Sequence, residues 1–156
     1  MGLFSFLKTA GMGALKKSAK RSEEKKKSAE AIRERQEGMM EGMIEAAGLC
    51  IDNLDVELSG DTVTVYGEAE SQLDREKALL ILGNLEGVAQ VDNRISVVVS
   101  EPEAQMYEVK SGDSLSKIAK HFYGDPMKYN VIFEANQPML KDPNLIYPGQ
   151  VLRIPA

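Results

Sequence analysis

A chain of 156 residues with a formal net charge of −5 and a single cysteine has room for one ordinary domain or two small ones, with no internal disulfide to brace either. The charge is unevenly spread: residues 1–36 carry ten Lys/Arg against four Asp/Glu, net +6, and residues 37–156 carry nine against twenty, net −11. An acidic body lacks the basic footprint on which nucleic-acid affinity rests, so nucleic acid is not an expected partner, whereas cations are favoured.

The chain opens MGLFSFLKTAGMGALKKSAK. No basic residue precedes the apolar run, which Ser5 interrupts and Lys8 ends, so the secretory pattern of basic start, apolar core and small-residue cleavage site is not met. No stretch approaches the ~20 apolar residues that cross a bilayer, and Phe6 stands where a myristoylation pattern starting at Gly2 requires Ser or Thr. The expectation is a cytoplasmic protein. Leu3, Phe4, Phe6 and Leu7, followed by lysines, suit a helix in weak contact with a membrane surface or a segment tucked into the protein's own core; the second reading is preferred. Residues 16–37 are rich in Lys, Glu, Ser, Ala and Arg and predict either a solvated helix or a mobile linker.

From Ala29 a helix is predicted, with Ile32, Met39, Met43, Ala46 or Ala47, and Cys50 along one side, and Cys50 as a buried apolar thiol. Gly38, Gly42 and Gly48 weaken it locally. Met39, Met40 and Met43 read as core, since no His or Cys stands at ligand spacing to make them a soft-metal site. Val56 and Leu58, the Gly60-Asp61 turn, then Val63 and Val65 predict a hairpin that Gly67 ends. A helix begins near Ser71, runs through Leu73, Ala78, Leu79, Leu80 and Leu82, and stops at Gly83-Asn84. A strand from Val88 to Val99 follows. This helix, strand, strand, helix, strand order resembles a BON domain over residues 29–99, on VTVYGEA, the Leu-rich helix and GNLEGVAQVDNRISV, where Gly87-Val88 and Val91-Asp92-Asn93 carry the match. That resemblance implies binding, to membranes or partners. Residues 1–28 form an amphipathic and charged segment before it, and 100–105 a short linker after it.

In residues 106–156, Tyr107 and Val109 predict a strand, Ser111-Gly112-Asp113 a turn, and Ser114 an N-cap for a helix burying Leu115, Ile118, Ala119 and Phe122. Gly124 stops that helix, and Asp125-Pro126 starts a second with Tyr129, Ile132 and Phe133 on one face. Tyr147-Pro148-Gly149 leads into a strand from Val151 to Ile154. SGDSLSKIA, Asn136 to Pro138, and IYPGQVLRIP in this order resemble a LysM domain, strand, helix, helix, strand. The resemblance implies glycan binding between Gly112, Asp113, Ser114 and Leu115 on one side and Asn136, Ile146 and Tyr147 on the other. The plainer and preferred reading makes Asp113, Ser114 and Asn136 holders of turns and caps.

The overall expectation is therefore α+β, with two small domains, αββαβ and βααβ. Together they resemble the bacterial potassium-binding proteins of BON–LysM type, departing at residues 16–36. The resemblance implies a monomeric, cytoplasmic potassium sensor or buffer in which K+ orders the first domain and its contact with the second. The alternative is an adaptor gripping peptidoglycan or membrane. Potassium is selected by neutral carbonyl oxygens, and a helix end leaves carbonyls unpaired at the negative pole of its dipole. With that resemblance the expected ligands are the backbone oxygens of Leu7, Ala10, Gly83, Leu85 and Val88; without it, Gly83 to Val88 reads as an ordinary helix-to-strand loop. No enzyme is expected: His121 is the only histidine, without an evident Ser or Cys partner, and carboxylates such as Asp61 and Asp74 lie at surface spacings.

Overall fold

The structure is a computed structural model that describes the backbone of residues 3–5 and 20–156 and the side chains of residues 25–156. From Lys20 on, the Lys/Glu-rich stretch is helical: α1 spans Lys20–Ala46. Residues 25–36 are exposed throughout, as suits a polar helix laced by pairs such as Arg33 Nε to Glu37 Oε1 at 3.6 Å. Packing begins later, and on a different face from the expected one. Met40 and Ile44 are buried, while Ile32, Met39 and Met43 are 59%, 61% and 44% exposed. The buried stripe is displaced by one residue, about 100° around the helix. Cys50, expected to be buried, is exposed.

The cause of that rotation lies in the next element. Strand β2 (Ile51–Ser59) is an edge of the first sheet, and edge strands carry N–H groups with no strand partner. Glu37 and Glu41, one helical turn apart, accept the N–H groups of Leu58 at 2.7 Å and Val56 at 3.1 Å. α1 therefore turns its carboxylates to the strand edge and its Met40–Ile44 line to the core.

β2 pairs antiparallel with β3 (Thr62–Ser71) across the predicted Gly60-Asp61 turn. β3 does not stop at Gly67. It continues to Ser71, and Gly67 sits in it at φ +150°, where a Cβ would lie 2.7 Å from Ile51 Cγ2 and 3.0 Å from the Asp52 oxygen. Glycine there accommodates the irregularity in β2 between Asp52 and Asp55. Helix α2 (Gln72–Gly83) crosses back to β4 (Gln90–Val99), which lies parallel to β3. Between them, Val63, Val65, Ala78, Leu79, Leu80, Leu82, Val91 and Ile95 form the buried centre.

Leu3–Ser5 forms β1, a short strand on the outer edge of β4. This sets aside the less favoured helical alternative for those three residues and adds a strand to the expected αββαβ order. An uncovered strand edge attracts such a partner. The register is antiparallel, Leu3 opposite Asp92, Phe4 opposite Val91 and Ser5 opposite Gln90.

The last third follows the predicted order. β5 (Gln105–Glu108) pairs antiparallel with β6 (Val151–Ile154). Between them lie α3 (Leu115–Tyr123), a 3-10 turn at Pro126–Lys128, and α4 (Tyr129–Ala135). Ser114 and Asp125 cap their helices through the side chain, and Gly124 ends α3 in the left-handed region at φ +72°. A second core gathers Val109, Leu115, Ile118, Ala119, Ile132, Leu140, Leu152 and Ile154. The predicted linker is fastened to α2: the Ala104 N–H donates to Glu76 at 2.9 Å, and Arg75 pairs with Glu103 at 2.7 Å.

Candidate ion site at the end of α2

Ser71 starts α2 by accepting the Asp74 N–H at 3.1 Å, and the helix ends at Gly83, with Asn84 as the cap at φ −90°, ψ 0°. The final carbonyls are used unequally. The Leu80 oxygen accepts the Asn84 N–H at 3.1 Å, the Leu82 oxygen that of Leu85 at 3.2 Å, and the Leu85 oxygen that of Val88 at 3.2 Å. Among the described residues no turn or loop N–H reaches the oxygens of Gly83 or Val88. Gly87, at φ +88°, turns the chain back as an L side chain would resist. The Ala89 and Gln90 N–H groups, at 2.8 and 3.3 Å, then both donate to the Asp61 oxygen, tying the turn to the β2–β3 hairpin.

Three of the five expected ligands, Gly83, Leu85 and Val88, thus share one short turn at the negative end of a helix dipole. Leu7 and Ala10 lie outside the described residues. Neutral oxygens of this kind fit a weakly hydrated monovalent cation. Two of the three carry no described backbone partner, and a carbonyl such as that of Leu85 keeps a second lone pair. Among the described residues no group of three or more His, Cys, Asp or Glu side chains converges on a metal position.

In the C-terminal module, the expected groove residues are largely occupied by local structure. The Asp113 carboxylate accepts the Lys110 N–H at 2.8 Å and the Tyr107 hydroxyl at 2.7 Å. These bonds, the Lys110 N–H foremost, hold its carboxyl below the usual range, and donation to Asp113 pushes the Tyr107 hydroxyl up. Ser114 caps α3, the Gly112 carbonyl accepts the Lys117 ammonium at 2.8 Å, and Leu115 is core. Asn136, 1% exposed, spends its amide on Ile132 and Arg153. Ile146 packs against the core and Tyr147 is half-exposed. Asp113 lines a cavity of about 270 Å³ with Lys117 and His121, whereas Tyr147 lines one of about 590 Å³ with Met43, Leu85 and Met139.

Sequence reasoning missed the joint between the modules. Asn84 pairs with both backbone groups of Val151, and the buried Glu76 with Arg153. An Asn after a helix-ending Gly signals only a cap; nothing local announces a partner 67 residues ahead. Cys50 offers no reactive thiolate, because the hydrogen bond to Glu70 and its charge raise the thiol pKa.

The BON domain family matches residues 34–99 and the LysM domain family residues 107–155. A protein of Escherichia coli O6:H1 named potassium binding protein Kbp is 41% identical over 158 aligned positions, covering 99% of each chain. An uncharacterized protein of Deinococcus radiodurans is 38% identical over 114 positions, 66% of this chain and 44% of that one.

Proposed function

Since the chain belongs to the BON–LysM family that includes Kbp, we propose that it binds potassium through main-chain oxygens at the end of α2. It would act in the cytoplasm as a potassium sensor or buffer, and as a binding protein rather than a catalyst. The register of β1 carries this reading. β1 runs antiparallel to β4 with Ser5 opposite Gln90, so the Ser5 end of β1 lies at the end of β4 that adjoins the turn from Gly83 to Val88. The proposed ligands are the oxygens of Gly83, Leu85 and Val88, joined by those of Leu7 and Ala10 from the segment that follows β1. The chemistry supports potassium over a divalent ion, because neutral carbonyls replace a weakly held hydration shell without the charge that smaller, harder cations demand.

Such a site links occupancy to order. A ligand that binds only the folded form stabilises it by RT ln(1 + [L]/Kd), about 2.7 kcal/mol at a hundredfold excess over Kd. The joint at α2 would carry that ordering to the C-terminal module. Calorimetric titration of the full chain with KCl, then NaCl, at constant ionic strength tests the reading. Saturable heat with potassium alone is expected, lost when residues 1–11 are removed. A folded, intact chain giving no potassium heat would defeat it.

Glycan binding is the second reading, favoured by the LysM match and by the half-exposed ring of Tyr147. Retention on purified peptidoglycan, abolished in Tyr147→Ala, is its expected signature.

A further inference from the structure

The side chain of Asn84 does more than close a helix. Its Oδ1 accepts the Val151 N–H at 2.8 Å while its Nδ2 donates to the Val151 oxygen at 2.9 Å. That is the two-way pairing a neighbouring strand would make. The same Nδ2 reaches the Leu80 oxygen at 2.9 Å and the Met139 sulfur at 3.1 Å. One amide therefore joins the last turn of α2 to the closing strand and to the loop before it.

Peptide geometry transmits this to the turn. In a planar trans peptide the C=O of one residue points opposite to the N–H of the next. The Asn84 N–H points back to the Leu80 oxygen, so the Gly83 oxygen points forward, out of the helix end. Holding Asn84 by its side chain keeps that peptide from turning. Leu85, immediately after Asn84, supplies the next proposed oxygen and packs partly against the first core. A second fastening, Glu76 with Arg153, lies eight residues earlier, about 12 Å along the helix, too far to orient the turn.

We propose that Asn84 is the positioning residue of the ion site, so that β6 of the C-terminal module sets the geometry, and hence the affinity, of carbonyls in the first domain. This rests on the proposed potassium site. It also assigns the C-terminal module a part in ion binding that needs no glycan.

The test compares three full-length variants by potassium calorimetry and by melting in sodium. Asn84→Ala removes the clamp. Asn84→Ser keeps a short cap for α2 but falls short of Val151. Glu76→Gln weakens the distant fastening and leaves the turn alone. All three are expected to melt below the parent chain in sodium. Only the two Asn84 variants are expected to weaken potassium binding, by tenfold or more, with Glu76→Gln within twofold of the parent. Reciprocally, potassium should slow amide exchange at Val151 in the parent and not in Asn84→Ala. Equal weakening in all three, or unchanged affinity in folded Asn84→Ala, overturns the positioning role alone. A parent chain with no potassium heat overturns the site itself and this role with it.

Discussion

Asn136 and Asn84 complete the same strand edge from opposite sides of the domain joint. Asn136 pairs with the N–H and C=O of Arg153 at 2.6 and 2.8 Å, and Asn84 pairs with those of Val151 at 2.8 and 2.9 Å. Asn136 comes from the strand's own module, 17 residues away, and is buried. Asn84 comes from the other module and is only partly buried. The contrast separates what holds the C-terminal module together from what attaches it. Among the described residues its second core is built from its own side chains, whereas Val151 of β6 belongs to the first core and the partly buried Met106 and Met139 pack against it. Dependence runs mainly one way, from the front module onto the back.

Paired core truncations probe that asymmetry with the largest expected effects. Leu82→Ala in the first core and Ile132→Ala in the second should each cost about 2–5 kcal/mol, read by chemical denaturation. If the dependence is one-way, Ile132→Ala lowers the unfolding midpoints of both modules, while Leu82→Ala leaves the second core's transition near its parent value. Equal effects on both would make the molecule one cooperative unit.

Asn136→Ala comes next. It strands both backbone groups of Arg153 and the Ile132 oxygen around a buried site, costing about 3 kcal/mol, more than the partly solvated Asn84→Ala. The same denaturation measurement ranks the two, and a reversed order would contradict the assignment of Asn84 to attachment. Gly67→Ala should cost about 2 kcal/mol, from its φ and the approach of Ile51, with the loss confined to the first module. Tyrosine fluorescence from the second module should not follow it.

The smallest effect is the acid response of the Asp113 turn. Its folded carboxyl lies below the ordinary carboxylate value, chiefly through the Lys110 N–H. Its contribution is therefore complete above pH ~4, the unfolded carboxyl range, and is lost as pH falls through the lower folded value. Asp113→Ala should lower the melting temperature slightly at neutral pH and flatten its decline below pH ~4. An unchanged acid slope would remove the turn from the account.

Much of the C-terminal module was legible because its signals are local. Ser114, Gly124, Asp125 and Pro126 act within one turn of themselves, so residue type and spacing suffice. The preferred capping reading of Asp113, Ser114 and Asn136 agrees with their hydrogen bonds. In the front module the hairpin turn and α2 were equally plain, although β3 runs past Gly67 to Ser71. The face of α1 was not, because it is chosen by two carboxylates meeting the edge of β2, a contact that periodicity does not encode. Cys50 was misjudged for a related reason: apolar neighbours in sequence say little about exposure at a helix-to-strand junction.

For the candidate site, the run from Gly83 to Val88 was readable as a helix end and a glycine turn. Its surroundings were not. Leu3–Ser5 is too short to declare itself a strand, and its register on β4 depends on an edge that exists only once the sheet has formed. The amino-acid sequence by itself determined the order of elements from α1 onward, their caps and the two-module plan, since these follow from short-range backbone preferences and apolar spacing. Only the tertiary structure decided which face of α1 is buried, that Leu3–Ser5 pairs with β4, and that a helix cap in one module completes a strand of the other. Those outcomes rest on backbone groups far apart in sequence finding partners that no local pattern can name.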